Sequence, residues 1–225
     1  MEAIILAGGL GTRLRSVVSN VPKPMVLINN RPFLELLLIE LKNKGFKKVT
    51  LCVGYLKETI IDYFSDSLID IEIEFSLEFE PLGTGGAIKK AFSKCISNHI
   101  YVFNGDTFQD FDSKILSDLW NMYQVPIMLL RSPPDEQRYG GVTVNGQEII
   151  NFKATQVSSD SYINAGIYLL PRNLFDKHQV PDSFSIEEFF QENVDILKMR
   201  YAIAENDAFT DIGTPMDLAK FIRDQ

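Results

Sequence analysis

Short apolar runs alternate with segments of helical period from the first residues of this chain, and that alternation limits its fold more than any other feature. Strand-like runs at 2–7, 48–53, 71–76, 99–104 and 126–131 are separated by helical patterns near 32–44, 57–65, 85–96 and 112–123. Repeated βαβ units bury a mostly parallel sheet between helices. The fold class expected is therefore α/β, a Rossmann-like, doubly wound, mostly parallel mixed sheet. The pattern then changes. Runs at 139–144, 148–152 and 162–170 follow one another with no helix between them, and Asn145-Gly146 supplies a turn between the first two. An inserted antiparallel hairpin portion is the consequence. Helices near 172–178 and 185–196, a strand at 199–204 and a helix at 215–223 complete the reading. With 225 residues, 45% of them hydrophobic, and no repeat or linker, one domain over 1–225 holds all of it.

Charge narrows the partners. A net charge of −8 disfavours nucleic acid and anionic membranes, which reward a basic surface. Within residues 1–25, however, Arg13, Arg15 and Lys23 face only Glu2, so positive charge gathers where an anionic substrate would need it. The two cysteines, Cys52 and Cys95, form no C-x-x-C pair and read as small core residues in a reducing compartment. Met1 leads straight into strand-like sequence, and no apolar run approaches membrane-spanning length. The cytosol is the expected location.

The local sequence around that positive charge is specific. The strand Ala3-Ile4-Ile5-Leu6-Ala7 runs into Gly8-Gly9-Leu10-Gly11-Thr12-Arg13-Leu14 and then Pro22-Lys23-Pro24-Met25. Glycines let backbone N–H groups close around phosphates, while Arg and Lys add charge that a bare glycine loop lacks. Position 14 is leucine, and no G-K-[ST] follows, so neither the dinucleotide fingerprint nor the Walker A loop fits. A plain turn after a buried strand is the competing reading of the glycines alone; Arg13, Lys23 and the downstream motifs outweigh it.

Ligands of a doubly wound sheet bind over the carboxyl ends of its strands. Three further segments lie there. Glu78-Phe79-Glu80-Pro81-Leu82-Gly83-Thr84-Gly85-Gly86-Ala87 is a second glycine-rich loop, which opens a helix and offers its N–H groups and dipole, or else serves only as a structural loop. Asn104-Gly105-Asp106 ends an apolar strand, where a carboxylate suits a hard divalent ion that also touches phosphate. In Thr210-Asp211-Ile212-Gly213-Thr214-Pro215, Asp211 ends a short strand. Each Asp alone reads as a cap or turn former; together, facing a phosphate loop, they read as a shared Mg²⁺ site.

These segments, with Asn164-Ala165-Gly166-Ile167-Tyr168, resemble in register the sugar-1-phosphate nucleotidyltransferase family over nearly the whole chain. The resemblance implies an enzyme that joins a sugar 1-phosphate to a nucleoside triphosphate, a phosphate oxygen attacking the α-phosphorus while pyrophosphate leaves. The nucleophile is already ionised near neutrality, because the second pKa of a phosphate monoester is about 6, so no general base is required. That agrees with a chain whose only histidines, His99 and His178, read as surface residues at element ends. Alignment of two repelling anions and neutralisation of charge are what remains to supply.

The resemblance assigns those tasks by position. Leu6, Gly8, Gly9, Gly11, Thr12, Glu78 and Gly83 would hold the nucleotide. Arg13 would take the departing β- and γ-phosphates, and Lys23 the α-phosphate and incoming phosphate. Asp106 and Asp211 would hold Mg²⁺. Thr84, Asn104, Gly140, Lys153 and Asn164 would line the sugar side; Tyr139 and Tyr168 belong either there or to the core. One position departs from the family pattern. Many relatives carry Phe-x-Glu-Lys where this chain has Phe152-Lys153-Ala154-Thr155, so Thr155 stands at the usual Lys position. Lys153 and Thr155 share a strand face, which makes Lys153 a candidate replacement.

Within the family, chain length and the Pro-Leu-Gly-Thr-Gly-Gly-Ala loop most resemble a guanylyltransferase branch, and that resemblance implies GTP and a heptose 1-phosphate as substrates for surface-polysaccharide assembly. Glu78 or Glu80 would accept the two N–H donors on the guanine edge, or else form a solvated acidic rim. A uridylyl- or thymidylyltransferase acting on a hexose or amino-sugar 1-phosphate is the alternative within the class. A catalytically silent, nucleotide-sugar-binding regulatory subunit is the alternative outside it, against which the retained Arg13, Lys23, Asp106 and Asp211 speak. Only about ten residues follow Pro215, so no appended domain is expected, and a homodimer is left open.

Overall fold

A computed structural model describes residues 1–9, 11, 21–133, 140–154, 162–204, 209–212 and 217–219, with the side chains of residues 153 and 154 excepted. In chain order the elements are β1 (Glu2–Leu6), β2 (Leu27–Ile28), β3 (Arg31–Pro32), α1 (Phe33–Asn43), β4 (Lys48–Val53), α2 (Lys57–Ser65), β5 (Glu72–Leu77) and α3 (Gly83–Ala91). There follow β6 (His99–Asn104), β7 (Thr107–Gln109), α4 (Ser113–Tyr123), β8 (Ile127–Arg131), β9 (Gly141–Asn145), β10 (Glu148–Ala154) and β11 (Tyr162–Pro171). The last are α5 (Ile186–Glu192), α6 (Val194–Leu197), β12 (Arg200–Ile203) and β13 (Phe209–Asp211).

Nine strands form one sheet in the order β5-β4-β1-β6-β11-β8-β12-β10-β9, and β9 also pairs with β11. β5, β4, β1 and β6 are mutually parallel, β12 is parallel to β8, and the antiparallel partners are β10 and β11. The β9–β10 hairpin turns at Asn145-Gly146, as its residues require, with Gly146 in the left-handed region at φ 57°. Thus the parallel half and its antiparallel insertion both match expectation.

Strand periodicity sorts side chains to the two faces. Ile5, Tyr101 and Phe103 enter one apolar cluster under α1, while Ile4, Ile100 and Val102 enter another under α3 and α5. α1 follows the same logic at helical period: Phe33, Leu34, Leu37, Leu38 and Leu41 are buried on one stripe. Truncating such a fully buried Leu or Ile to Ala typically costs about 2–5 kcal/mol.

Some local expectations differ. Residues 172–178 form successive turns, with Pro171 and Asn173 carbonyls accepting from Leu174 and Asp176, so the apolar pair Leu174 and Phe175 packs into the core without a helix. The helix expected over 85–96 starts at Gly83 and gives way to a 3₁₀ turn at Phe92–Lys94, and that expected over 185–196 divides at Asn193 into α5 and α6. β2, β3 and β7 are too short to register as periodic patterns. Residues 217–219 are helical; the rest of the terminal segment lies outside the described residues.

From β1 the chain moves outward to β4 and β5, then returns to place β6 on the other side of β1. This reversal opens a crevice at the carboxyl ends of β1 and β6. Gly8 follows one of these strands and Asp106 the other.

Candidate active site

The first loop leaves β1 with Ala7 N–H donating to Cys52 O, then turns against the loop after β4, where Tyr55 N–H donates to Gly8 O at 3.3 Å. Gly54 makes that contact feasible, since a Cβ there would lie 3.0 Å from Gly8 O. Gly9 has open space where a side chain would stand, and Gly11 adopts φ 57°. A cavity of about 680 Å³ opens beside these glycines, bounded on its other sides by Leu6, Tyr55, Glu78, Gly83 and Asn104. Gly54 and Tyr55 were not singled out in sequence; a glycine directly after the buried strand β4 was the available signal.

Asp106 and Asp211 lie 105 positions apart in sequence, yet a small antiparallel ladder joins them. β7 pairs with β13 so that Thr107 faces Asp211, and Ile212 N–H donates to Asp106 O at 3.0 Å. Gly105 lets the chain pass close under β1: its N–H donates to Leu6 O, and a Cβ would lie 2.6 Å from that same oxygen. Lys23, in a 3₁₀ turn between Pro22 and Pro24, points its ammonium between the two carboxylates. Nζ stands 2.5 Å from Asp106 Oδ2 and 3.5 Å from Asp211 Oδ1, and its side chain is only 10% exposed. The two aspartates, expected to share a Mg²⁺, are brought together in the structure around the Lys23 ammonium.

A second cavity, of about 370 Å³, adjoins the first and is bounded by Asp106, Asp211, Gly140, Asn164 and Phe209. Asn104, Asp106 and Glu187 border both cavities. Asn164 is aimed by a bulge in β11, where the register against β8 shifts between Asn164 and Tyr168 and Gly166 takes φ 78°. Its Oδ1 accepts from Gly166 N–H at 2.8 Å and its Nδ2 donates to Tyr168 Oη at 2.5 Å. Tyr168 is wholly buried, and burial together with the Glu187 carboxylate pushes its phenol well above the usual range. It is thus both a core ring and a neighbour of the cavity.

The second glycine loop is different in use. Gly85 N–H donates to Phe184 O at 2.9 Å, and Phe184 N–H donates to Leu82 O at 3.0 Å. A Cβ on Gly83 or Gly85 would collide with Phe184, and one on Gly86 with the carbonyl of Asp182. Glu78 begins this loop with one carboxylate oxygen accepting from Leu82 N–H at 3.3 Å, and burial raises its pKa despite that bond and nearby Lys90. Next to it, Phe79 is exposed at the cavity wall, with Lys57 Nζ 4.4 Å and Lys90 Nζ 5.5 Å from its ring centroid.

Not every expected site residue is described. Arg13 and Thr12 lie outside the described residues, as does the side chain of Lys153, whose backbone runs in β10; Tyr139 also falls outside. The cysteines are free and buried, and burial pushes the Cys95 thiol up to about 11. His99 is half-buried against Trp120. Among the described residues, no three His, Cys, Asp or Glu side chains gather as a metal site, and no helix is long and apolar enough to cross a membrane.

The model of the nucleotidyl transferase family matches residues 2–225. The chain belongs to that family. This nucleotidyl transferase is 46% identical over 223 residues to D-glycero-alpha-D-manno-heptose 1-phosphate guanylyltransferase from Campylobacter jejuni, covering 99% of each chain. It is 40% identical over 221 residues to the enzyme of the same name from Aneurinibacillus thermoaerophilus, covering 98% and 96%. Among solved structures it resembles HddC from Yersinia pseudotuberculosis complexed with GMP-PN, with a TM-score of 0.83 and 31% identity over 99% of this chain and 98% of that one. The transferase therefore has the mixed α/β architecture of its relatives.

Proposed function

We propose that this enzyme transfers the guanylyl group of GTP to D-glycero-α-D-manno-heptose 1-phosphate, giving GDP-heptose and pyrophosphate for surface-polysaccharide assembly in the cytoplasm. The observation that carries the reading is two cavities meeting at Asn104 and Asp106, with Lys23 held between Asp106 and Asp211 at the junction. A two-substrate reaction needs its reacting phosphates brought to such a seam. The relatives' names supply the base and the sugar.

In the proposed step, an oxygen of the sugar phosphate forms a bond to the α-phosphorus of GTP. The bond from that phosphorus to the α,β-bridging oxygen breaks, and pyrophosphate leaves with the electron pair. Because the attacking phosphate is a dianion near neutrality, the chain need not remove a proton. Gly8, Gly9 and Gly11 let backbone approach the nucleotide, and Glu78 accepts hydrogen bonds from the guanine edge. Lys23 neutralises charge on the α-phosphate and its attacker, and Arg13 does so on the leaving pyrophosphate. Asn164 and Gly140 border the sugar, and Lys153 is the candidate to bind its phosphate.

The donor set suits Mg²⁺. Asp106 and Asp211 already converge on one cation, the ammonium of Lys23, and magnesium is commonly held by one or two carboxylates with substrate phosphates and water. Held by the two carboxylates in place of the ammonium, which would turn to the phosphates, it would offset phosphate charge and orient the phosphates. Pyrophosphate release measured with Mg²⁺, each of four NTPs and a panel of sugar 1-phosphates tests the proposal. Release with GTP and the heptose 1-phosphate is expected; turnover only with UTP or dTTP would replace the base, and no release with any pair would sink the reading.

A further inference from the structure

Glu187 belongs to none of the motifs above, yet its side chain borders both cavities. It stands in the first turn of α5, brought there by the close approach of the 182–185 segment to the second glycine loop. Its two oxygens are held separately. Oε2 accepts from Thr84 Oγ at 3.2 Å and from Ser185 Oγ at 2.9 Å, while Oε1 accepts from Tyr168 Oη at 3.1 Å. Asn164, through its bond to the same phenol, belongs to the chain of contacts. An ionised carboxylate offers about four acceptor positions. Among the described residues these three hydroxyls fill three, which leaves one on Oε1.

What could fill it is limited by charge. A phosphate would be repelled, so the partner must be a neutral or cationic donor. The base is expected beside Glu78, on another wall of the larger cavity. The sugar, lodged beside Asn164 and Asp211, carries neutral hydroxyl donors. We propose that Glu187 accepts a hydrogen bond from one hydroxyl of the sugar ring and so selects sugar 1-phosphates that present a donor at that position.

Thr84, expected on the sugar side, lines the larger cavity and is bonded to this carboxylate. Its hydroxyl proton goes to Glu187, and its oxygen accepts from Ile186 N–H at 2.9 Å. It is a positioning residue for the carboxylate, acting on the sugar through Glu187. This inference rests on the sugar nucleotidyltransferase reading above.

The test uses the full chain with saturating GTP and a set of singly deoxygenated analogues of whichever sugar 1-phosphate is turned over. For the parent protein, one analogue should lose about 10- to 100-fold in kcat/KM, as expected when a charged acceptor loses its partner. Glu187→Gln should raise the KM for the intact sugar phosphate about tenfold, leave the KM for GTP within about twofold, and largely erase discrimination against that analogue. Equal rises in both KM values, or an unchanged deoxy profile, would overturn the role of Glu187 while leaving the transferase reading intact. Absence of turnover with any substrate pair would remove both. Should Glu187→Gln fail to fold, Thr84→Val, which frees the carboxylate from one of its holders, should raise the sugar-phosphate KM selectively; an unchanged value would refute the assignment.

Discussion

The two glycine-rich loops look alike in sequence and differ in what their glycines touch. After β1, Gly9 faces open space, while a Cβ on Gly8 would collide with Oε1 of Glu78, a side chain that itself lines the cavity. In the second loop, Gly83, Gly85 and Gly86 are pressed against Phe184 and Asp182, and Gly85 has given its N–H to Phe184 O. One loop leaves Gly9 open beside the larger cavity; the other uses the absence of Cβ at all three of these glycines to dock its own chain. That docking carries α5, and with it Glu187, to the edge of both cavities. Glycine content alone therefore does not identify a phosphate cradle: the neighbour that fills the space does.

The largest effect expected lies next to the first loop. Asp106→Ala or Asp211→Ala should lower kcat by at least about a hundredfold, in line with the value of a single preorganised electrostatic contact. Steady-state pyrophosphate release measures it. Near-normal turnover in both variants would refute the shared Mg²⁺ site proposed for the two carboxylates. On the other side of the comparison, Gly83→Ala must adopt φ 67° and place a Cβ against the Phe184 carbonyl, so unfolding free energy should fall by about 1–3 kcal/mol. Denaturant unfolding reads this directly. A midpoint equal to that of the parent would mean that the second loop is as open as the first.

Gly9→Ala sharpens the contrast with a smaller and opposite signature. Nothing lies within 4 Å of the added methyl, so the unfolding midpoint should hardly move, whereas the KM for GTP should rise severalfold as the methyl enters the space taken by phosphate. Loss of stability without a change in KM would assign both loops the same structural duty.

Much of this arrangement is legible in the sequence because strand and helix periods are local. The strands β1, β4 and β6 and the stripe of α1 follow from spacing alone, and the positions of Gly8 and Asp106 follow from their places just after strands. What the sequence could not supply are relations set by tertiary register. The β7–β13 ladder that joins Asp106 to Asp211 has three residues per strand, too few for a periodic signal. Glu187 sits in an amphipathic helix pattern in which one acidic residue resembles another, and only the packing of Phe184 on Gly83 and Gly85 tells which of them meets the cavity. Residues 172–178 show the converse: apolar spacing compatible with a helix is satisfied by turns that bury Leu174 and Phe175.

The smallest expected effect concerns Glu78, which touches both loops. Burial is the largest influence on its carboxyl and raises its pKa, offset in part by Leu82 N–H and Lys90. A carboxyl whose pKa is higher folded than unfolded weakens the fold where it is ionised in both states. That deficit is fully present above the folded pKa and disappears as pH falls through the folded pKa to the unfolded one. Glu78→Gln should therefore be slightly more stable than the parent at neutral pH, with the two unfolding curves converging on acidification into the carboxylate range. Binding should run the other way if Glu78 has its proposed role, in which the ionised carboxylate accepts the guanine N–H pair. The parent's KM for GTP should rise as pH drops through that raised pKa, while Glu78→Gln should have a higher KM that is flat across the same range. Parallel pH profiles in the two proteins would leave Glu78 as a brace between the loops and place base recognition elsewhere on the cavity wall.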